Sequence, residues 1–196
     1  MSDNLIHIAR NRFAQAVFNS AIHQECKSLI ISKVNLNKKI NLTISVILTL
    51  FVLCLQFWVA SDNFWSKIIN LVGVILTVVQ VCYSFYQIQF DETDKIYLHR
   101  KTADQYRELR DDYSSLISQI FDVDNTITYE HLELLQTKYN LISNNAPDTN
   151  NKAYMAAQNR LGTTSLPNQG IYSWSDEEIN SFLPVNLQYS PPQSKV

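Results

Sequence analysis

The chain has 196 residues and a formal net charge of −2, from 16 basic and 18 acidic side chains. This near balance excludes a bulk charge that would favour nucleic acid or an acidic substrate. Only three glycines occur and the five prolines all follow residue 146, so the chain before that point is predicted to be mostly helical. The three cysteines form no CxxC and no cluster with histidine, which indicates free thiols.

Residues 1–39 are predicted to form a cytoplasmic N-terminal helix. Apolar and small side chains recur there at helical spacing, as Phe13, Ala16, Val17 and Ser20 and then as Ile22, Cys26 and Leu29. His7 and His23 have no partner at ligand spacing, so they are interpreted as solvated or packed histidines.

Two segments without any charged residue follow, at 40–61 and 68–90. Each would reach roughly 33 Å as a helix, enough to cross a hydrocarbon core of about 30 Å. The turn between them, "DNFWSK" at 62–67, is so short that it predicts an antiparallel hairpin of two transmembrane helices. Core helices of a soluble protein are the alternative, which the uncharged length and the aromatic residues at the turn disfavour.

Basic residues flank the two apolar segments on the side away from the turn, which itself holds one lysine. This distribution predicts that both termini are cytoplasmic. The basic residues before the first segment are Arg10, Arg12, Lys27, Lys33, Lys38 and Lys39, and those after the second are Lys95, Arg100, Lys101, Arg107 and Arg110.

Polar and small residues interrupt the second apolar segment at steps of three or four, which places them on one helix face. They are Asn70, Gly73, Thr77, Gln80, Ser84, Gln87, Asp91 and Asp94, and a weaker line in the first segment holds Asn41, Ser45, Thr49 and Gln56. One interpretation is a helix interface joined by hydrogen bonds. The other is an oligomer that turns this stripe toward a water path. The second is favoured because the stripe runs the full depth of the segment.

Residues 91–145 are predicted to form a cytoplasmic stalk and helical bundle. The second apolar helix is expected to continue unbroken to about residue 121, with a heptad-like seam at Ile96, His99, Ala103, Tyr106, Arg110, Tyr113, Ile117 and Ile120. A further helix follows, with Leu132, Leu135, Tyr139 and Ile142 on its apolar face.

Residues 146–196 are predicted to be a mostly flexible tail with one short amphipathic helix. Ser175 and Glu178 have the spacing of a capping box at its start. Its apolar residues are Trp174, Ile179, Phe182 and Leu183, which suit docking on a partner protein or on the chain's own bundle.

No nucleotide-binding, hydrolase or metalloprotease motif occurs, and no catalytic residue is predicted. Asp122 and Asp124, and the acidic group at Asp91, Glu92 and Asp94, are more simply explained as helix-end carboxylates than as Mg²⁺ ligands. We therefore predict a non-enzyme without cofactor or metal. No basic stripe with interleaved aromatic rings occurs, so direct reading of nucleic acid is not expected.

The layout of an N-terminal helix, a tight two-span hairpin and then "HRKTADQYRELRDDY" resembles the SLATT family, the SMODS- and SLOG-associating two-transmembrane effectors. The resemblance covers about residues 1–145 and rests on His99, Ala103, Tyr106 and Leu109. It implies an all-α membrane protein of the bacterial inner membrane, with a two-span transmembrane hairpin and a cytoplasmic helical bundle.

The same resemblance implies an antiphage effector that oligomerises in the lipid bilayer and permeabilises it to stop the infected cell. It further implies a separately encoded sensor, such as a retron reverse transcriptase–RNA complex or a nucleotide-signalling enzyme. The alternative function is a non-enzymatic membrane anchor that recruits a soluble partner.

Overall fold

A computed structural model describes residues 2–58, 64–89, 92–121, 129–162 and 174–188, with side chains except at 2–3, 55–58 and 87–89. Within these ranges the chain is helical and contains no strand, which confirms the all-α prediction. The helices are α1 (Ser2–Trp58), α2 (Phe64–Gln89), α3 (Thr93–Phe121), α4 (Tyr129–Asn145), α5 (Asn151–Leu161) and α6 (Asp176–Phe182), followed by a 3₁₀ turn at Val185–Leu187.

The chain divides into two compact units. We call residues 1–29 with 95–196 the core unit, and residues 30–94 the apolar unit. Helix α1 contributes its first half to the core unit and its second half to the apolar unit. The two predicted segments at 1–39 and 40–61 therefore belong to one helix up to Trp58.

The core unit buries aromatic and aliphatic side chains between α1, α3 and α4. Helix α3 supplies the longest buried face, with His99, Thr102, Ala103, Tyr106, Leu109, Tyr113, Leu116 and Ile117. The predicted seam is correct at five of these positions, but Thr102, Leu109 and Leu116 are also buried and Arg110 is only half-buried. Arg110 instead forms a 2.7 Å ion pair with Asp111, because an unpaired guanidinium is costly to bury.

Helices α5 and α6 pack on the same core. Asn150 caps α5 by accepting a hydrogen bond from the backbone N–H of Ala153 (2.8 Å), and Gly162 ends it with a left-handed φ of 67°. Ser175 and Glu178 form the predicted capping box of α6. The segment predicted to be mostly flexible thus holds two helices with buried residues, and its residues 163–173 and 189–196 lie outside the described ranges.

The expected unbroken helix through α2 and α3 is wrong. Helix α2 ends at Gln89, Glu92 is not helical, and α3 begins at Thr93. Asp94 lies in the first turn of α3, where a carboxylate is favoured by the partial positive charge of a helix start. The acidic group therefore begins a new helix, and within the apolar unit Glu92 forms a 3.1 Å ion pair with Lys33 of α1.

Candidate functional site

The apolar unit turns its large aliphatic side chains outward. Leu42, Ile47, Leu71 and Val74 are each at least 59% exposed. Two helices are long and apolar enough to cross a membrane, within Asn4–Cys54 and Phe64–Tyr86. A buried core helix of a soluble protein would cover such side chains, so their exposure favours contact with lipid.

A polar seam joins α1 and α2 inside the apolar unit. Nε2 of Gln80 donates hydrogen bonds to Oδ1 of Asn41 and to Oγ of Ser45, the latter at 2.7 Å. Nδ2 of Asn41 donates to Oγ of Ser84 at 3.5 Å. The pairing of Asn41 with Ser84 and of Ser45 with Gln80 shows that the two helices run antiparallel, as the short turn predicted.

The predicted stripe on α2 does not lie on one uniform surface. Gly73 is buried and Gln80 and Ser84 are half-buried, whereas Asn70 and Thr77 are exposed. The Thr77 hydroxyl donates to the Gly73 carbonyl oxygen at 2.9 Å, so its hydrogen bond stays within the helix. The stripe therefore has one part that meets α1 and one part that faces outward. The side chain of Gln87, and Asp91 entirely, lie outside the described residues.

Sequence reasoning missed Ser66, which belongs to the part of the α2 stripe that meets α1. Ser66 is buried, and Ser66, Gly73 and Gln80 follow one another at intervals of seven residues. A seven-residue spacing keeps side chains on the seam between two helices that pack at a shallow angle. The heptad spacing was the signal that could have found it.

The four α3 residues that carry the family resemblance all lie in the core unit, and three of them meet α1. Nδ1 of His99 lies 3.0 Å from Nδ1 of His23, and the Ala103 carbonyl oxygen accepts a hydrogen bond from the Ser20 hydroxyl at 2.9 Å. The Tyr106 ring stacks on the His23 ring, with 5.9 Å between centroids. Leu109 is fully buried in the hydrophobic cluster.

Burial changes the protonation of this histidine pair. Desolvation lowers the pKa of His23 to about 4, with a further contribution from the neighbouring His99. Desolvation also lowers the pKa of His99. Both rings are therefore uncharged at neutral pH, and one Nδ1 must carry the proton that the other accepts. Sequence reasoning did not find this pair, because 76 residues separate the two histidines.

The apolar residues of α6 and its flanks pack on the core unit. Trp174, Ile179 and Leu183 are buried, and Phe182 is half-buried at 5.9 Å from the Trp174 ring. Trp174 also contacts Phe18 of α1 edge to face, at 5.2 Å between centroids. Of the two predicted roles, the contacts support docking on the chain's own helices.

A buried arginine fixes α6 in this position. Arg10 is fully buried, and its Nη2 donates hydrogen bonds to Oδ1 of Asp176 (3.1 Å) and to Oδ1 of Asn180 (2.9 Å). The sequence showed Arg10 only as one of several basic residues before the first apolar segment. Nothing in the local pattern signals a partner 166 residues away.

Among the described residues, no three His, Cys, Asp or Glu side chains lie close enough together to hold a metal ion. Asp91, Asp122 and Asp124 lie outside the described ranges. Cys26, Cys54 and Cys82 are free thiols, as predicted, and burial raises the pKa of Cys26.

The exposed apolar helices, their polar seam and the helical core unit define a class of protein, a two-span helical membrane protein. The sequence model of the SMODS and SLOG-associating 2TM effector domain family 4 matches residues 5–167. The chain belongs to this family, whose members are two-transmembrane effector domains of defence systems. No curated protein and no solved structure matches the chain.

Proposed function

We propose that the protein is a bacterial antiphage effector that oligomerises in the inner membrane and permeabilises it when a separate sensor activates it. Family membership supports the effector role, and two outward-facing apolar helices support action within the bilayer. The basic residues that flank the hairpin support cytoplasmic termini, where a sensor such as a reverse transcriptase–RNA complex or a nucleotide-signalling enzyme would reach the core unit.

The polar seam is the observation that carries the proposal. Gln80 lies near the middle of α2, where an amide without a hydrogen-bond partner would cost several kcal/mol in lipid. The Gln80 amide group is hydrogen-bonded to Asn41 and Ser45, so the seam between α1 and α2 is closed. Each such interhelical contact in a membrane contributes only about 0.6 kcal/mol, so it can be exchanged for contacts with water or with another copy.

In this proposal the resting hairpin keeps its polar groups paired internally. Activation separates α1 from α2 at the seam, and several copies then place Gln80 and Ser84 toward a shared water path. The exposed residues Asn70 and Thr77 lie beside the covered part and would meet a neighbouring copy. A single two-helix hairpin is too small to enclose a pore, so the path requires an oligomer.

The test compares Gln80→Leu with Val79→Leu, which changes the exposed neighbouring position to the same residue. Both variants are expressed from an inducible promoter while membrane potential and dye entry are recorded. We expect Val79→Leu to depolarise cells like the wild type and Gln80→Leu to lose depolarisation at equal membrane abundance. Unchanged depolarisation by Gln80→Leu would show that the seam is not the permeation path.

The second candidate function is a non-enzymatic membrane anchor that recruits a soluble partner. Gln80 finds its hydrogen-bond partners within its own hairpin. This favours an anchor, because no second copy is needed to cover the Gln80 amide. Cross-linking in native membranes separates the two functions. An anchor remains a monomeric hairpin, whereas a pore gives a ladder of cross-linked oligomers.

A further inference from the structure

The core unit contains a cavity of about 380 Å³ that neither the family nor the proposed function assigns. Its floor is formed by buried side chains of α1 and α3, among them Phe18, His23 and Tyr106, together with Trp174. Its rim includes the connection between α4 and α5, where Asp148 is exposed. A volume of this size is typical of sites for small molecules or single side chains.

The charge of the lining selects against anions. None of the described residues that line the cavity is Lys or Arg, and Asp148 carries the one carboxylate. Phosphate and carboxylate ligands are held mainly by guanidinium and ammonium groups, which this lining lacks. The cavity therefore suits a neutral or cationic ligand.

Five aromatic rings line the same cavity, those of Phe18, Tyr106, Tyr139, Tyr154 and Trp174. Aromatic faces attract cations, and ammonium groups are commonly bound in this way. The Tyr139 ring already holds a cation, because the Arg12 guanidinium carbon lies 5.5 Å from its centroid, so a bound cation would pack against the other four rings. The walls therefore favour a cation whose carbon chain can pack against the rings.

His23 supplies a polar atom at the floor. The side chain is 4% exposed and its Nδ1 is bonded to Nδ1 of His99, while its Nε2 forms no hydrogen bond with any described residue. Burial lowers the pKa of His23 to about 4, so the ring is neutral at physiological pH and does not repel a cation. When His23 donates its Nδ1 proton to His99, its Nε2 has a free lone pair that can accept an N–H.

We propose that this cavity binds an organic ammonium ion, a protonated primary amine on a short apolar chain. Nε2 of His23 accepts one ammonium N–H, the aromatic rings surround the chain, and Asp148 at the rim balances the charge. Binding selects the tautomer in which His23 donates to His99, so occupancy is transmitted to the contact between α1 and α3. The proposal is independent of whether the protein permeabilises membranes.

The test uses the full chain in detergent micelles with ¹⁵N-labelled histidine, since its four histidines, His7, His23, His99 and His131, give few signals. n-Butylammonium chloride is the probe, sodium chloride controls for ionic strength, and 1-butanol is the uncharged analogue. We expect saturable shifts of the ring nitrogens of His23 and His99 with n-butylammonium, and no shift of His7 or His131. 1-Butanol and sodium chloride should leave all four unchanged.

The matched variants are Asp148→Asn at the rim and Asp111→Asn, an exposed carboxylate that does not line the cavity. Asp148→Asn should weaken n-butylammonium binding by roughly three- to fivefold, as expected for one charge interaction near the surface, and Asp111→Asn should not. Equal shifts with 1-butanol, no shift of His23, or equal binding by Asp148→Asn would each overturn the proposal.

Two further probes identify the source of the ammonium group. Putrescine represents a free amine, and the peptide Gly-Lys-Gly represents a lysine side chain of a partner protein. Tighter binding of putrescine supports a soluble amine as the ligand, whereas tighter binding of the peptide supports a docked lysine. Failure of both to shift His23 contradicts an ammonium site of either kind.

Discussion

The core unit and the apolar unit distribute polar and apolar atoms in opposite ways. The core unit buries Phe13, Leu109 and Ile117, and its ion pairs Arg107–Asp104 and Lys138–Asp112 lie near the surface. The apolar unit exposes leucine, isoleucine and valine and places Gln80 with Asn41 between its helices. Water makes the first arrangement stable and lipid makes the second stable, because lipid cannot satisfy a polar group on the outside. One continuous helix, α1, contributes to both arrangements.

The largest expected difference between the units is the effect of removing one leucine side chain. Leu109 is fully buried, and Leu109→Ala should lower the free energy of unfolding by about 2–5 kcal/mol through lost burial and a residual cavity. Leu53→Ala, at a position 47% exposed in the apolar unit, should change it far less. Thermal denaturation of the full chain in detergent measures both. An equal loss for Leu53→Ala would contradict the lipid-facing assignment.

The histidine pair is expected to make the core unit sensitive to acid. The folded pKa of His23 is about 4 and its unfolded pKa is near 6.5, so the unfolded state binds more protons between these values. The contribution of the pair to the free energy of unfolding is therefore fully present above about pH 6.5. It is lost as the pH falls toward 4, by roughly 3 kcal/mol in total. Denaturation midpoints from pH 7 to pH 4 measure this loss.

The matched variants for the pH series are His23→Gln and His131→Gln. Carboxylates also titrate in this range, so the pH dependence of the denaturation midpoint is compared between each variant and the wild type. His23→Gln should make the pH dependence shallower, whereas His131→Gln, at an exposed position on α4, should retain the wild-type slope. A wild-type slope in His23→Gln would show that the pair does not control the acid sensitivity.

A smaller effect is expected where the tail meets the core unit. Asp176→Ala removes the carboxylate that accepts a hydrogen bond from the buried Arg10, and hydrogen bonds to charged groups contribute about 1.5–3 kcal/mol. Since Asp176 is partly exposed, the lower end of that range is expected. Limited proteolysis near α6 should accelerate in Asp176→Ala and stay unchanged in Glu177→Ala, an exposed neighbour. Equal protection in both variants would contradict an anchoring role for Arg10.

The smallest effect concerns the cap of α5. Asn150→Ala removes the hydrogen bond to the Ala153 N–H and should cost about 1 kcal/mol, the usual value for a lost N-cap. Asn151→Ala, one residue into the helix, is the control and should be nearly neutral. Thermal denaturation again measures the change, and equal effects of the two variants would argue against the cap.

The sequence predicted features that depend on neighbouring residues. Uncharged length predicted the two apolar helices, the short turn predicted their antiparallel order, and Ser175 with Glu178 predicted the capping box of α6. It predicted the family as well, through residues of α3 that the structure places against α1.

Features that depend on distant residues could not be predicted in this way. The Arg10–Asp176 contact and the His23–His99 pair each join helices far apart in the chain. The break at Glu92 was missed because helix-forming residues continue on both sides of it. The division of the stripe into covered and exposed parts depends on where α1 lies, which the periodicity of α2 alone does not specify.

The central claim is that the polar seam becomes a water path when the protein depolarises cells. Its most direct test is the labelling of Ser84→Cys by a water-soluble maleimide, in a chain with Cys54→Ala and Cys82→Ala. Val79→Cys, on the exposed apolar side, is the control. The account predicts that Ser84→Cys is labelled only in depolarised cells and that Val79→Cys stays unlabelled. Depolarisation without labelling of Ser84→Cys would contradict it.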